Sequence, residues 1–290
     1  MKKLFFIISA TFLPFSSNAW EACGTDAVGN TANCEYQIID GTLTIRGVGN
    51  NGNIGSWWKS DSPWKLRSQE IKNLVIEDSI KHFGSSAFFG MKFNTPIVIP
   101  NGVESINDYA FRGVTAPEIV IPNTVTTLGY ASLDWSHIDK INIPDSVTTI
   151  DIAFRGGNFK DIIIPDSVTS ISDMALSYAS VETLTIGENT KFSAIFKPEV
   201  EDEPLTNTAN IKIYCIGDTS KCDKNLADAG YPELKSSKAT LREINGKQYV
   251  FDASGKIAAS FGSRTEKRIY TIDEANAVAG DKNRVSIKYR

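Results

Sequence analysis

The sequence predicts a repeat solenoid built mainly of β-strands, and three observations carry this prediction. The octapeptide Ile-Pro-Asp-Ser-Val-Thr-Thr-Ile begins at Ile143, and a nearly identical one begins at Ile164. Looser copies elsewhere place their anchoring isoleucines 21 to 23 residues apart, a period typical of stacked structural units. Each anchor closes an alternating apolar run, which indicates a strand with one buried face. The anchors are Ile76, Ile99, Ile121, Ile143, Ile164 and Ile186.

Every repeat follows the same order of elements. In four of the six copies the strand is closed by a proline, which cannot donate to a strand ladder. An Asn or Asp then forms a turn, and a second apolar pair leads to a small residue before a large one. A unit of about 22 residues cannot bury its own apolar face, so the copies must stack. The small–large pairs are Ala87-Phe88, Ala110-Phe111, Ser132-Leu133, Ala153-Phe154 and Ala175-Leu176.

These Ile-Xaa-Ile-Pro-Xaa-Ser-Val-Xaa-Xaa-Ile segments and small–large pairs resemble the leucine-rich repeat of BspA-like bacterial surface proteins, over about residues 68–195. The resemblance implies a right-handed coil with a parallel sheet on one face. It also implies that this face has a binding or adhesive role and that the protein is not an enzyme. The family often carries a cysteine shortly after the small–large pair, and this chain does not. At that place stand Gly90, Gly113, Trp135, Gly156 and Tyr178.

Residues 1–19 are typical of a cleaved secretory signal peptide. Two lysines precede a short apolar run, and small residues precede Trp20. No later apolar run approaches the ~20 residues that a membrane helix needs. We therefore expect an exported protein without a transmembrane segment, whether secreted, associated with the cell surface or periplasmic.

Four cysteines agree with an oxidising compartment. Cys23 lies close to Cys34, and Cys215 lies close to Cys222. Three pairings are open, and the local ones, Cys23–Cys34 and Cys215–Cys222, are favoured. A structural zinc site needs a closely spaced set of Cys or His, which the sequence does not offer. We expect two disulfides, no metal and no cofactor.

Residues 20–67 are predicted to be an N-terminal disulfide-containing cap. An Asp40-Gly41 turn between two apolar runs indicates a hairpin, and a repeat array needs a cover over its first coil. Residues 68–235 are assigned to the solenoid with a C-terminal cap. Within them, residues 196–207 hold four acidic residues and two prolines, which favours a solvated loop over a calcium site.

Residues 236–290 are predicted to be a small basic α+β module. From Lys238 onward the chain has eleven Lys and Arg against six Asp and Glu. A hairpin around residues 253–255, a strand at 268–271, a short helix at 273–279 and a closing strand at 285–289 are expected. The basic charge is either a solvated face or a dock for an anionic surface. The whole chain has a net charge of −4, which is too mild to indicate nucleic acid.

The first candidate site is the outward column, the sheet positions that alternate with the buried isoleucines. Four of its six members are apolar although they are expected to face solvent, and an exposed apolar strip often marks a partner surface. The partner would be a protein, such as a host-surface or extracellular-matrix component; the oligomeric state stays open. The simpler interpretation is that Val and Ile are strand formers. The outward column comprises Val75, Val98, Val120, Asn142, Ile163 and Thr185.

Trp57, Trp58 and Trp64 are interpreted as a seal between the cap and the first repeat, which we favour, and the alternative is a glycan platform formed by the same rings. An enzyme with its chemistry in the C-terminal module is the third hypothesis. The two histidines, His82 and His137, occupy unrelated repeat positions, so no catalytic residue is assigned.

One polar position recurs in the turns and is weighed as a cation site. Stacked repeats would place its members about 4.8 Å apart. The alternative is five turns that are each capped by their own side chain, which we favour. The residues are Asp78, Asn101, Asn123, Asp145 and Asp166.

Overall fold

The structure is a computed structural model that describes residues 19–25, 29–57, 61–196, 210–244 and 247–261. Over these residues the chain winds as a solenoid of mostly parallel strands, with one α-helix and one short 3-10 helix (Lys65–Arg67). The predicted signal peptide, Trp58, most of the acidic loop and the end of the predicted C-terminal module lie outside the described residues.

The strands are short, as the repeat length requires. The N-terminal cap has β1 (Glu21–Ala22), β2 (Cys34–Ile39), β3 (Thr42–Gly47) and β4 (Gly52–Ile54). The repeats have β5 (Asn73–Ile76), β6 (Ile80–Phe83), β7 (Ile97–Val98), β8 (Ser105–Ile106), β9 (Thr115–Val120), β10 (Thr127–Leu128), β11 (His137–Asn142), β12 (Thr149–Ile150), β13 (Asn158–Ile164), β14 (Ser170–Ile171) and β15 (Ser180–Gly187). The C-terminal part has β16 (Lys212–Ile216), α1 (Thr219–Asp228), β17 (Ser236–Ile244), β18 (Lys247–Asp252) and β19 (Ile257–Phe261).

Each repeat contributes one main strand and one short strand on another side of the coil. The main strands β7, β9, β11, β13 and β15 pair in parallel within a nine-stranded sheet that β16 to β19 complete. The short strands form two smaller sheets, ordered β10-β8-β6-β4 and β12-β14. In the main ladder Ile119 is level with Ile97 on one side and Ile141 on the other. The predicted parallel sheet and stacked register are confirmed.

The core lies between these sheets and is filled by one layer per repeat. The anchors from Ile99 to Ile186 are each at most 2% exposed. The large member of each small–large pair is also buried, and Phe88 stacks on Phe111 of the next repeat with ring centroids 5.2 Å apart. Identical positions therefore meet in space, which is why the sequence repeats.

The N-terminal cap closes the first coil as predicted. Strands β2 and β3 form an antiparallel hairpin around Asp40 and Gly41, both with positive φ (46° and 75°), as a tight two-residue turn requires. Strand β3 then pairs in parallel with β5, which joins the cap to the first repeat. The Cys23–Cys34 disulfide is formed and ties β2 to the segment before it.

The C-terminal cap contains a helix that the sequence analysis missed. Asp218 caps α1 by accepting a hydrogen bond from the Ser220 N–H at 2.9 Å. Asn225 donates to the carbonyl oxygens of Glu188 (3.1 Å) and Thr190 (2.9 Å), so the helix satisfies the last turn of the coil. The Cys215–Cys222 disulfide joins β16 to α1, as predicted.

Replacing both Cys215 and Cys222 by serine is expected to lower the free energy of unfolding by about 2–3 kcal/mol. The disulfide closes a short loop, which is where the loss of loop entropy is smallest, and both sulfurs are buried. Urea unfolding of the double variant and the wild type would measure the difference. A loss below about 1 kcal/mol would mean that helix packing alone holds the cap.

Strands β17, β18 and β19 form a meander that continues the solenoid sheet, and we call it the C-terminal meander. Strand β17 pairs in parallel with β16, and the next two pairings are antiparallel. The predicted hairpin at 253–255 is present, with Gly255 at φ 82°. These described strands are joined to the solenoid instead of forming a sheet of their own, because β17 takes the place of one further main strand. The predicted elements at 268–289 lie outside the described residues, and the domain boundaries stay a prediction.

Candidate functional site

The outward column exists as a ladder position in the structure. Five of its members follow one another across paired strands, from Val98 to Val120, Asn142, Ile163 and Thr185. The sixth, Val75, lies on β5 and pairs with Thr44 of the cap. Because neighbouring strands are about 4.8 Å apart, these side chains form a straight row on the face of the sheet that points away from the core.

The expectation that the whole column faces solvent is wrong for its C-terminal half. Val75, Val98 and Val120 are half-buried, but Asn142 is 6% exposed, and Ile163 and Thr185 are fully buried. The cause is the C-terminal meander, which folds back over the outer face of the sheet. The sequence showed the alternation but not which strands would cover it.

The meander is held on the column by a small apolar core and by two polar contacts. Ile163 packs in a cluster of buried side chains that comprises Ala239, Val250, Ala259 and Phe261. Asn142 donates a hydrogen bond from Nδ2 to Gln248 Oε1, and Lys140 Nζ donates to Ser260 Oγ at 3.4 Å. The outer face of the sheet therefore already binds one β layer, from its own chain.

A charged row runs beside the column and passes under the meander. Lys140 is level with Glu118 on one side and with Asp161 on the other. Asp161 is 6% exposed, and its burial raises the pKa of this carboxyl, although a hydrogen bond with Thr183 and the charge of Lys140 act in the opposite direction. The hydrogen bond and the neighbouring positive charge thus offset the effect of burial on this carboxyl only in part.

The N-terminal half of the column is left uncovered by the meander. Val75 lies on a parallel pair with the cap, Val98 and Val120 lie on the main ladder, and the packed core lies behind both. The three valines present an apolar strip with Glu118 beside it in the next row. An apolar strip of this kind can be buried by contact with another surface.

The alternative of a tryptophan platform is wrong for two of its three residues. Trp57 is 5% exposed and Trp64 is fully buried, so neither offers a face to a sugar. Trp64 stacks on Phe88 (5.6 Å between centroids), and its Nε1 donates to the Ala87 carbonyl at 3.1 Å. Both rings seal the cap against the first repeat, which was the favoured interpretation. Trp58 lies outside the described residues.

The histidines and the turn carboxylates do not form a reactive site. His82 is on β6 and His137 begins β11, which belong to different sheets. Asp166 accepts hydrogen bonds from the backbone N–H and the side-chain amide of Asn189, at 2.7 and 2.5 Å. This carboxylate therefore holds the next repeat and does not cap its own turn as expected. Within the described ranges, no group of three or more His, Cys, Asp or Glu could hold a metal ion.

Sequence reasoning missed a surface on the turns that follow the small–large pairs. We call its members the turn column: Gly90, Gly113, Trp135, Gly156 and Tyr178 all have positive φ, between 55° and 69°. The N–H of Trp135 donates to the carbonyl of Arg155 at 2.8 Å, and Gly113 and Gly156 make the equivalent bond to the repeat after theirs. Glycine suits this left-handed backbone, whereas another side chain costs about 1–2 kcal/mol. The recurring glycines were visible in the sequence, and Trp135 was the exception that could have drawn attention.

A buried ion pair supports this surface from below. Asp134 is fully buried, and its carboxylate accepts hydrogen bonds from the backbone N–H and the Nε of Arg155, both at 3.1 Å. The Nη2 of Arg155 lies 3.0 Å from the same carboxylate. Burial raises the pKa of Asp134, and the charge of Arg155 only partly opposes this. The pair links two consecutive repeats.

The described part of the chain has no helix with the length and apolarity needed to cross a membrane.

The chain was compared with protein-family models, curated proteins and solved structures. Residues 81–196 match the BspA type leucine rich repeat region, in six copies. The chain is similar to a leucine-rich repeat protein from Eubacterium ventriosum ATCC 27560, whose crystal structure is 16% identical in sequence with a TM-score of 0.27, covering 64% of this chain and 71% of that one. No curated protein matches the chain. The repeats and their register agree with this family match over residues 81–196.

Proposed function

We propose that this protein is an exported, non-enzymatic binding protein that captures a protein partner on the uncovered half of its outward column. The partner surface is Val75, Val98 and Val120, and the partner is a surface or extracellular-matrix protein. One observation carries the proposal: the other half of the same column already buries a polypeptide layer, the C-terminal meander. Val98 and Val120 lie on the same parallel sheet as the covered half, so this open part of the sheet fits a similar layer from another chain.

The family match, the expected signal peptide and the two disulfides support this role. Leucine-rich repeat proteins generally serve in protein interaction and are generally not enzymes, and BspA-type members are typically surface or secreted bacterial proteins. The signal peptide expected at residues 1–19 and the two disulfides agree with export. We further propose that this binding serves adhesion to a host surface.

Replacing Val98 and Val120 by lysine is expected to weaken partner binding at least tenfold. Two charges would then face an apolar partner surface and would have to be desolvated there. The mature chain, residues 20–290, would be screened against purified extracellular-matrix and host-surface proteins. Dissociation constants would be compared by surface plasmon resonance after circular dichroism had shown that the variant folds.

The matched control is Val48→Lys, which makes the same change at a valine that is 48% exposed and lies in the turn after β3, outside the column. This variant is expected to bind as the wild type does. Equal losses in both variants would show a general charge effect, and unchanged binding by the double variant would exclude the outward column as the partner surface.

A further inference from the structure

The turn column contains a residue that folding does not explain. Its left-handed backbone forms a regular ladder, in which successive N–H groups donate to the next repeat at 2.7 to 2.8 Å. Three of its five members are glycine, the residue that this backbone favours. Trp135 occupies the same conformation (φ 55°) with a bulky side chain, and that side chain is 48% exposed. Tyr178 of the same column also has positive φ, so what distinguishes Trp135 is its large, half-exposed indole.

The indole of Trp135 lies flat on the neighbouring repeat. A Cβ added to Gly156 would come within 2.5 to 2.8 Å of three ring atoms, so the ring rests where a side chain would otherwise stand. Because Gly156 covers one face and the residue is still half exposed, the opposite face of the indole is open. The other described tryptophans differ: Trp57 and Trp64 are buried, and the Arg46 guanidinium lies 3.8 Å above the Trp20 ring.

We propose that the turn column binds an extended β-1,4-linked polysaccharide, with a sugar ring stacked on the open face of Trp135. The flat C–H face of a pyranose matches an exposed indole, and such a chain presents these faces along its length. The neighbours of Trp135 in the column are Gly113 and Gly156, which have no side chain to obstruct a polymer lying along it. Tyr178 lies two repeats after Trp135, about 10 Å along the column, and offers a second ring.

The size of the surface favours a sugar over a protein. A stable protein partner buries about 800 Å² on each side, with a contiguous apolar centre. The other exposed large apolar side chains of the described chain are dispersed over the cap, the repeats and the meander; they are Val48, Leu66, Tyr130, Ile244 and Ile257. A sugar ring needs only the area of one aromatic face. This site is independent of the outward column and of the proposed protein partner.

The test uses the mature chain with cellohexaose, chitohexaose and xylohexaose as separate probes. We expect at least one to bind in isothermal titration calorimetry and to shift the tryptophan fluorescence. Trp135→Gly is expected to weaken that binding at least tenfold while the thermal midpoint stays within a few degrees or rises, because glycine suits the backbone. Tyr178→Gly is expected to weaken the hexasaccharide but not the corresponding disaccharide, which is too short to reach both rings.

The matched control is Leu66→Gly, which removes a 97% exposed apolar side chain elsewhere and is expected to leave sugar binding unchanged. Two results would overturn the proposal: none of the three hexasaccharides binds, or Trp135→Gly binds as tightly as the wild type. The proposal would also be overturned if a protein partner, and no sugar, bound in a way that depended on Trp135. The preserved thermal midpoint separates loss of the site from loss of the fold.

Discussion

The Trp64→Ala variant is expected to lose about 3–5 kcal/mol of unfolding free energy, the largest effect of any substitution considered for this protein. Trp64 is fully buried and contacts Tyr36 and Trp57 of the cap and Phe88 of the repeats. Removing the indole leaves a cavity at this junction and strips the Ala87 carbonyl of its donor. Urea unfolding monitored by circular dichroism would measure the change.

The control for this experiment is Trp135→Ala, which removes the same ring from a half-exposed place. Its loss is expected to be much smaller, since about half of that side chain already contacts water. A small loss for Trp64→Ala would mean that the cap and the repeats are stable independently of each other. The cap and the repeats would then unfold in two separate transitions.

The Asp134→Ala variant is expected to lose about 3 kcal/mol at neutral pH. The substitution leaves the Arg155 guanidinium, whose side chain is only 15% exposed, and its backbone N–H without their carboxylate. Breaking a buried ion pair from one side costs about 3–5 kcal/mol, and the partial access of Arg155 to water places this pair at the low end. The matched variant Arg155→Ala tests the other partner. Losses below about 1 kcal/mol in both would show that the pair does not link the repeats.

The pH dependence of this pair has a defined sign. Burial raises the pKa of Asp134 in the folded state above its ordinary value of 3.8, so the folded protein holds this proton more tightly than the unfolded chain does. The stability that the protonated Asp134 carboxyl contributes is therefore complete below pH 3.8 and is lost as the pH rises through the raised pKa. The gap in unfolding free energy between the wild type and Asp134→Asn should narrow as the pH rises from 3.8 through the raised pKa of Asp134. A gap that widens instead would show that attraction to Arg155 outweighs burial. Burial also raises the pKa of Asp161, but this residue is present in both proteins, so its contribution cancels in the difference between them.

The repeats could be predicted from sequence because each one restates the same local rules. The alternation that ends at Ile143 is enough to assign a strand, a face and a neighbour, since Ile164 stacks at the same position one repeat later. The two disulfides followed from cysteine spacing in the same way. Periodicity gives contacts between adjacent copies without any further information.

Contacts between distant parts of the chain could not be predicted in this way. The hydrogen bond between Asn142 and Gln248 joins residues 106 positions apart, and nothing in either local pattern indicates it. For that reason the outward column was expected to be open, although β17 to β19 cover half of it. The burial of Trp57 and Trp64 agrees with the favoured interpretation that they seal the cap, but the half-exposed position of Trp135 depends on its neighbours in space and was not predicted.

The meander changes how this solenoid should assemble and come apart. In a simple repeat array each unit contacts only the units before and after it, so the ends can open one repeat at a time. Here β17 to β19, the last described strands, reach back to β11 and β13 in the middle of the array, so the meander cannot detach without also exposing Ile163. These repeats should open as one cooperative unit and should complete their folding only after residue 261 has emerged. During synthesis, the outer face of β11 and β13 is therefore expected to be covered later than the repeats beneath it.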